Sequence, residues 1–206
     1  SGARLDKHKY SRYLFSPRLS AIWTPTTKDT VKTLLTRSYR KKSDYYARND
    51  YLKLNEEVDS EKLDSLELIY IRELSDELEA TFATVYSDWQ MLIFSVDSQE
   101  NEFIGDMKMA NFEFELKYTL DNFTFRMSHT YTKILEFELE KDSVYNILSA
   151  HPYGYGKNLS NWSDHLTKFQ MNYEWNDKLS TSLSTVIYWG FTGAEDYAKY
   201  TFDTNG

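Results

Sequence analysis

Metal or acid-base chemistry would begin at histidine, cysteine and clustered carboxylates, and this chain offers little of it. Its four histidines, His8, His129, His151 and His165, include no i, i+4 pair and stand at no metal-ligand spacing from a carboxylate. There is no cysteine, which excludes disulfides, thiolate metal sites and cysteine nucleophiles and fits a periplasmic route. Ser163-Asp164-His165 carries the residue types of a serine hydrolase, but a triad is defined by geometry and not by adjacency. Gly154 and Gly156 in His151-Pro152-Tyr153-Gly154-Tyr155-Gly156 lack the strand-to-helix setting of a phosphate cradle and read as a loop tip.

The one basic cluster runs from Arg37 to Arg48, where Arg37, Arg40, Lys41 and Lys42 are interleaved with Tyr39, Tyr45 and Tyr46. Guanidinium, ammonium and aromatic groups together can hold an anionic or aromatic chelate such as a ferric siderophore. The same residues can instead meet lipopolysaccharide phosphates at a membrane rim. Tyr153, Tyr155 and Trp162 present the same choice between cargo contact and rim anchor.

The elements that must position these residues are strands. In Asn122 to Thr132, Phe123, Phe125, Met127, His129 and Tyr131 fall on one parity and Thr124, Arg126, Ser128, Thr130 and Thr132 on the other. Successive side chains of a strand point to opposite faces, so one face suits hydrocarbon and the other suits water. The alternation recurs. Phe112, Phe114, Leu116 and Tyr118 oppose Glu113, Glu115 and Lys117, and Leu66, Leu68 and Tyr70 oppose Ser65, Glu67 and Ile69. Phe169, Met171, Tyr173 and Trp175 oppose Lys168, Gln170, Asn172 and Glu174, while Leu179, Leu183, Ile187 and Trp189 oppose a serine-rich face. Glu113, Glu115 and Lys117 would cost up to a few kcal/mol each against lipid near the midplane, so their face must see a wet lumen or a plug. The expected lumen-facing residues are Glu67, Glu113, Glu115, Lys117, Arg126, Lys168 and Gln170. The expected lipid-facing residues are Phe112, Phe114, Phe123, Phe125, Tyr173, Trp175 and Trp189, with His129 on the same parity near the outer rim.

Composition agrees with strands that cross a membrane. Aromatics make up 17% of 206 residues, with 17 Tyr, 12 Phe and 5 Trp, as where amphipathic rings form interfacial belts. The mean hydropathy of −0.64 leaves no run of the ~18 apolar residues a transmembrane helix needs, but a barrel strand needs only every second residue apolar. A net charge of −8 provides no basic footprint for nucleic acid.

Tight turn signals at 25–28, 75–77, 120–122 and 176–178 alternate with longer polar connections at about 38–61, 138–163 and 191 onward, the connection at 97–100 being a short exception. Alternation puts the tight turns at one end of the sheet and the long loops at the other, as in outer-membrane barrels with short periplasmic turns and long extracellular loops. The pattern predicts an all-β, antiparallel up-and-down transmembrane β-barrel domain spanning 1–206, with about nine strands and a further one at Asp6 to Tyr13.

Several segments then resemble one family in order. Phe15-Ser16-Pro17-Arg18 through Pro25, followed by Val31 to Arg40, resembles the "SPR…P…LK…YG.AFR" stretch of TonB-dependent outer-membrane receptors. Asn55 to Leu68 resembles their "NP.LKPEK.DS.EL" box, Asn111 to Leu116 their "GFELEL", Ser128 to Lys133 their "SYSYTKA", and Tyr188 to Ala194 their "YWGFPGA". The chain departs from the pattern at Glu56 and Ser60, where the family has Pro, at Asn111 in place of Gly, and at Ser38-Tyr39 in place of Ala-Phe. Haem-type members are expected to carry a His between the "FR" and "NP.L" elements, and Lys41 to Leu54 contains none, which disfavours haem as cargo.

The resemblance implies a receptor and not an enzyme, with no resident cofactor or metal, set integrally in the bacterial outer membrane among lipid and lipopolysaccharide. It implies TonB-energised uptake of a scarce nutrient such as a ferric siderophore, cobalamin or another metal chelate. It also implies an N-terminal plug and a TonB-contact segment, neither recognisable here, in a barrel of about 22 strands that nine or ten cannot close. The expectation is therefore the C-terminal part of such a barrel, cut before its last strands. Two rivals remain: a complete small barrel acting as a surface enzyme or passive pore, and a soluble β-sheet binding module.

Overall fold

The alternation becomes a single sheet. The structure is a computed structural model that describes residues 1–41, 44–54, 57, 60–95, 100–139 and 162–195. Its strands are β1 (Gly2–Asp6), β2 (Leu14–Trp23), β3 (Asp29–Arg40), β4 (Glu61–Glu73), β5 (Leu78–Ser95), β6 (Glu100–Leu120), β7 (Phe123–Leu139), β8 (His165–Asn176) and β9 (Leu179–Trp189). Each pairs antiparallel with the next, in the order β1 to β9, so the topology is a pure up-and-down meander.

Short connections join β2 to β3, β4 to β5, β6 to β7 and β8 to β9. Asp121-Asn122 joins β6 to β7 with Asp121 at φ 46°, a left-handed conformation that Asp tolerates because its short side chain can bond locally. Asp177-Lys178 joins β8 to β9, with the Lys178 N–H donating to Asn176 Oδ1 at 3.0 Å. Between β4 and β5 the Leu74 N–H donates to the Leu78 carbonyl at 2.8 Å. At the opposite end, the region between β3 and β4 contains a helix, α1 (Asp44–Leu54). Lys53 in the last turn complements its dipole, and Ala47 is buried as α1 packs against β6. The connections 96–99 and 140–161 lie outside the described residues.

The expected strand at Asp6 to Tyr13 is not formed. β1 occupies Gly2–Asp6 instead and pairs with β2 from Gly2↔Arg18 to Asp6↔Leu14, while residues 7–13 make the connection. β1 is a short edge strand whose position is set by pairing with β2, and its five residues carry too little alternation to announce it.

Some strands are longer than a bilayer crossing would need. At ~3.3 Å per residue, the 21 residues of β6 run about 70 Å, whereas a tilted barrel strand crosses hydrocarbon in about 9–11 residues. The β5–β6 hairpin therefore projects past its neighbours at the end that carries α1.

Candidate functional site

Register sorts the side chains into two surfaces. The pairs Phe82↔Phe114, Phe114↔His129, Phe125↔Met171 and Met171↔Leu183 lie on one face. Glu79↔Lys117, Lys117↔Arg126, Arg126↔Gln170 and Ser128↔Lys168 lie on the other. Glu67, Glu113, Glu115, Lys117, Arg126, Lys168 and Gln170 share the second surface, and Phe112, Phe114, Phe123, Phe125, Tyr173, Trp175 and Trp189 share the first. Trp175 keeps its place through a register shift between Glu174 and Asn176, which sets its ring edge-on to Tyr173 at 4.7 Å and lets its indole N–H donate to Thr181 Oγ1 at 3.0 Å.

Along β4 and β5 burial is the inverse of that in a water-soluble sheet, whereas on β6 to β8 Glu113, Arg126, Lys168 and Gln170 of the polar face are exposed. Leu66, Leu68, Phe82 and Phe112 are 43%, 45%, 50% and 51% exposed, whereas Ser87 on the polar face is buried and Glu67 and Glu115 are half-buried. Polar side chains crowding together while apolar ones splay apart is the pattern of a wall curved toward its polar face. Water would penalise such an outer surface, and lipid would not.

Some charged groups on the apolar surface pair near its two ends, whereas Asp88 and Asp106 on the same parity are in no ion pair among the described residues. Near the tight turns, Asp29 accepts from the Tyr70 hydroxyl at 2.6 Å and pairs with Arg72 at 3.5 Å. Eight residues up the same two strands, the Arg37 guanidinium grips Asp64 through two bonds of 2.6 and 2.7 Å. Eight steps span about 27 Å along a strand and, at a tilt of ~40°, about 20 Å across the sheet, close to the ~25 Å apolar band of outer-membrane barrels. Lys108 and Glu136 continue the upper row at 2.5 Å. A bulge makes that pair possible: Leu135 is skipped between Lys108↔Glu136 and Met109↔Ile134, which turns Glu136 from the polar parity to the outer one. Among the described residues, Glu113, Glu115, Lys117, Arg126 and Lys168 on the polar face form no ion pair. Pairing lowers the net charge that the apolar face would otherwise carry.

The basic and aromatic run of the long connection is divided by this geometry. Arg37 lies on the apolar face with Asp64, whereas Arg40 lies on the polar face and pairs with Glu61, which is buried and accepts the Trp89 indole N–H at 2.5 Å. Lys41 is exposed just beyond β3, and Tyr45 stands 70% exposed on α1. Trp162 sits exposed ahead of β8 at the same end of the sheet. Lys42, Tyr153, Tyr155 and the side chain of Tyr46 lie outside the described residues.

Register also makes a cluster that the sequence did not show. His129 on β7 and His165 on β8 are 36 residues apart, yet His165 Nδ1 lies 3.3 Å from His129 Nε2. His165 stacks on Trp189 at 3.9 Å with the planes 8° apart, Tyr131 covers it at 4.8 Å, and His129 Nδ1 is 2.9 Å from Thr167 Oγ1. Gly190 closes the group at φ 71°, where an added Cβ would come within 2.9 Å of His165 Cδ2. Gly190→Ala should therefore cost about 1–2 kcal/mol for the left-handed backbone alone. It should also push His165 off Trp189, read as a lower unfolding midpoint with a changed near-ultraviolet circular dichroism of the indole. Among the described residues no group of three or more His, Cys, Asp or Glu is placed to hold a metal ion, and no helix is long and apolar enough to cross a membrane.

Known structures share this wall. The FrpB iron transporter from Neisseria meningitidis, F3-3 variant, superposes with a TM-score of 0.60 at 14% identity over 84% of this chain and 26% of that one. The apoprotein form of the F5-1 variant gives 0.58 at 14% identity, over 81% and 25%. The likeness establishes the fold. This chain spans about a quarter of the length of those transporters, and its nine strands adopt their all-β antiparallel up-and-down arrangement. No protein-family model matches the chain, and no curated protein does.

Proposed function

We propose that this chain is part of the barrel wall of a TonB-dependent outer-membrane transporter that imports a scarce nutrient, a ferric siderophore, cobalamin or a comparable metal chelate. The observation that carries the reading is the contrast between the two faces of one sheet. Half-exposed Leu and Phe lie between two rows that include paired charges, and on the reverse side Glu113, Glu115, Lys117, Arg126 and Lys168 are in no ion pair among the described residues. Such a wall suits lipid on one side and a hydrated lumen on the other. The fold likeness to an iron transporter supports transport over catalysis. In this reading the tight turns are periplasmic and the ends bearing α1 and Trp162 are extracellular, meeting lipopolysaccharide at the rim. Arg40, Lys41 and Tyr45, with Trp162, form part of the capture surface, and an N-terminal plug contacted by TonB gates the path.

The test is uptake of radiolabelled ferric siderophores and cobalamin by the source bacterium with and without the gene. The expected result is loss of uptake of one such chelate on deletion, restored by the intact gene and abolished by an uncoupler or by removal of TonB. Deletion without effect on any chelate would overturn the nutrient reading. Uptake that survives the uncoupler would make the protein a passive pore.

A further inference from the structure

The segment from Lys7 to Tyr13 is rich in cations and rings, and it forms the connection between β1 and β2 at the end of the sheet opposite the tight turns. Local bonds fix its shape. Lys7 donates to the Ser11 carbonyl at 2.5 Å and pairs with Glu57, the Ser11 N–H donates to the His8 carbonyl at 3.4 Å, and Ser11 is buried. Tyr10 in this connection sets its ring 5.5 Å from that of Tyr51 on α1, with the planes 48° apart. Two stretches some forty residues apart in the chain thus meet through one ring pair.

A cation stands on either side of that pair. Lys9 Nζ lies 5.2 Å from the centroid of the Tyr10 ring, and Arg48, three residues before Tyr51, is its neighbour on the helix surface. Lys9 and Arg48 are exposed and, among the described residues, in no ion pair. Nearby acids are engaged elsewhere: Asp6 with Arg4, Glu57 with Lys7 and Glu61 with Arg40. Asp50 is buried, as is Ala47 three residues before it on the same face of α1. In a chain of net charge −8, two aryl faces between two such cations are a local reversal of sign.

An aromatic ring that carries an oxyanion matches every part of this arrangement. Its face stacks on Tyr10 and Tyr51, its charge draws Lys9, and the planar guanidinium of Arg48 offers it two N–H donors. An uncharged ligand without aryl groups uses none of these contacts fully. We propose that Lys9, Tyr10, Arg48 and Tyr51 bind an oxyanion-bearing aryl ring of the cargo, so that a catecholate-type ferric chelate is taken in preference to cobalamin or an uncharged hydroxamate chelate. The choice of cargo rests on the transport reading, whereas the site itself needs only the contact between the β1–β2 connection and α1.

The experiment is equilibrium dialysis of the full-length protein in detergent against two chelates of radiolabelled iron, a trianionic hexadentate tris-catecholate and an uncharged hexadentate tris-hydroxamate. Wild type is compared with Lys9→Glu, Arg48→Glu, Tyr10→Leu and, at the opposite end of the sheet, Lys28→Glu, and heat-modifiable electrophoresis checks that each variant is folded. The expected result is that wild type binds the tris-catecholate and not the tris-hydroxamate. Lys9→Glu and Arg48→Glu should each weaken binding about 10-fold or more, since each sets like charges against one another. Tyr10→Leu should weaken it about 2- to 10-fold through the lost stacking, and Lys28→Glu should leave it unchanged. Equal affinity for the two chelates, unchanged affinity in both charge variants, or no binding of the tris-catecholate by folded wild type would overturn the site. Binding at this site with no uptake defect on gene deletion would instead keep the site and overturn the transport reading.

Discussion

In the proposed outer-membrane wall, Phe114→Arg should prevent stable insertion of most of the protein, while Glu115→Arg, one residue further along β6, should leave assembly close to wild type. Phe114 lies between Phe82 and His129 in register, with its ring 4.9 Å from that of Phe82. It stands six residues below Lys108 and four above Tyr118, near the middle of the apolar band. A charged guanidinium there costs about 2–4 kcal/mol against lipid, and the substitution also removes an aromatic pair worth about 0.5–1.5 kcal/mol. Glu115 faces the other way, where Thr81 and Ser128 are its partners in register and water already solvates Lys117 and Arg126. The measurement is the heat-modifiable folded fraction in purified outer membranes. Equal tolerance of the two substitutions would mean that the faces have been assigned the wrong way round.

Met107→Ala should loosen the loop-bearing end of the wall without unfolding the rest. Met107 is fully buried on the polar face, opposite Trp89 in register, on the strand against which α1 packs. Removing a buried Met side chain costs about 2–5 kcal/mol, with the larger values where the surroundings cannot collapse. Here the surroundings are fixed by the Glu61 bonds to Trp89 and Arg40, so the upper half of that range is expected. The readout is limited proteolysis: faster cleavage within residues 41–60, with the folded barrel fraction unchanged. Cleavage at the wild-type rate would show that α1 does not depend on this packing.

Much of the fold is legible in the sequence because a strand's period of two is a local property. Phe112, Phe114 and Glu113, Glu115 announce their faces without reference to any partner, and Asp121-Asn122 and Asn176-Asp177-Lys178 announce their turns through side chains that favour tight backbone conformations. With the alternation of short and long connections, these are enough to order β2 to β9 in a meander. The edge strand is where the local signal fails. β1 at Gly2–Asp6 exists through pairing with β2, and reading a strand into Asp6 to Tyr13 mistook a connection for it.

Three further features depend on tertiary structure. α1 arises inside what reads as a polar loop, since its stability comes from the docking of Ala47 and its neighbours and not from a strong apolar periodicity. The bulge at Leu135 decides that Glu136 meets Lys108, and no local pattern marks where one extra residue will be absorbed. The division of Arg37 and Arg40 between the two surfaces follows from strand parity, but their partners, Asp64 and Glu61, are fixed only by the β3–β4 register.

The sequence by itself therefore determined which side chains share a surface, because alternation needs no knowledge of neighbours. Only the tertiary structure decided which of them touch across strands, because register is set by the whole sheet. His129 and His165, unremarkable in the chain, became a facing pair through the alignment Tyr131↔His165 and His129↔Thr167, a relation that a shift of one residue would have abolished.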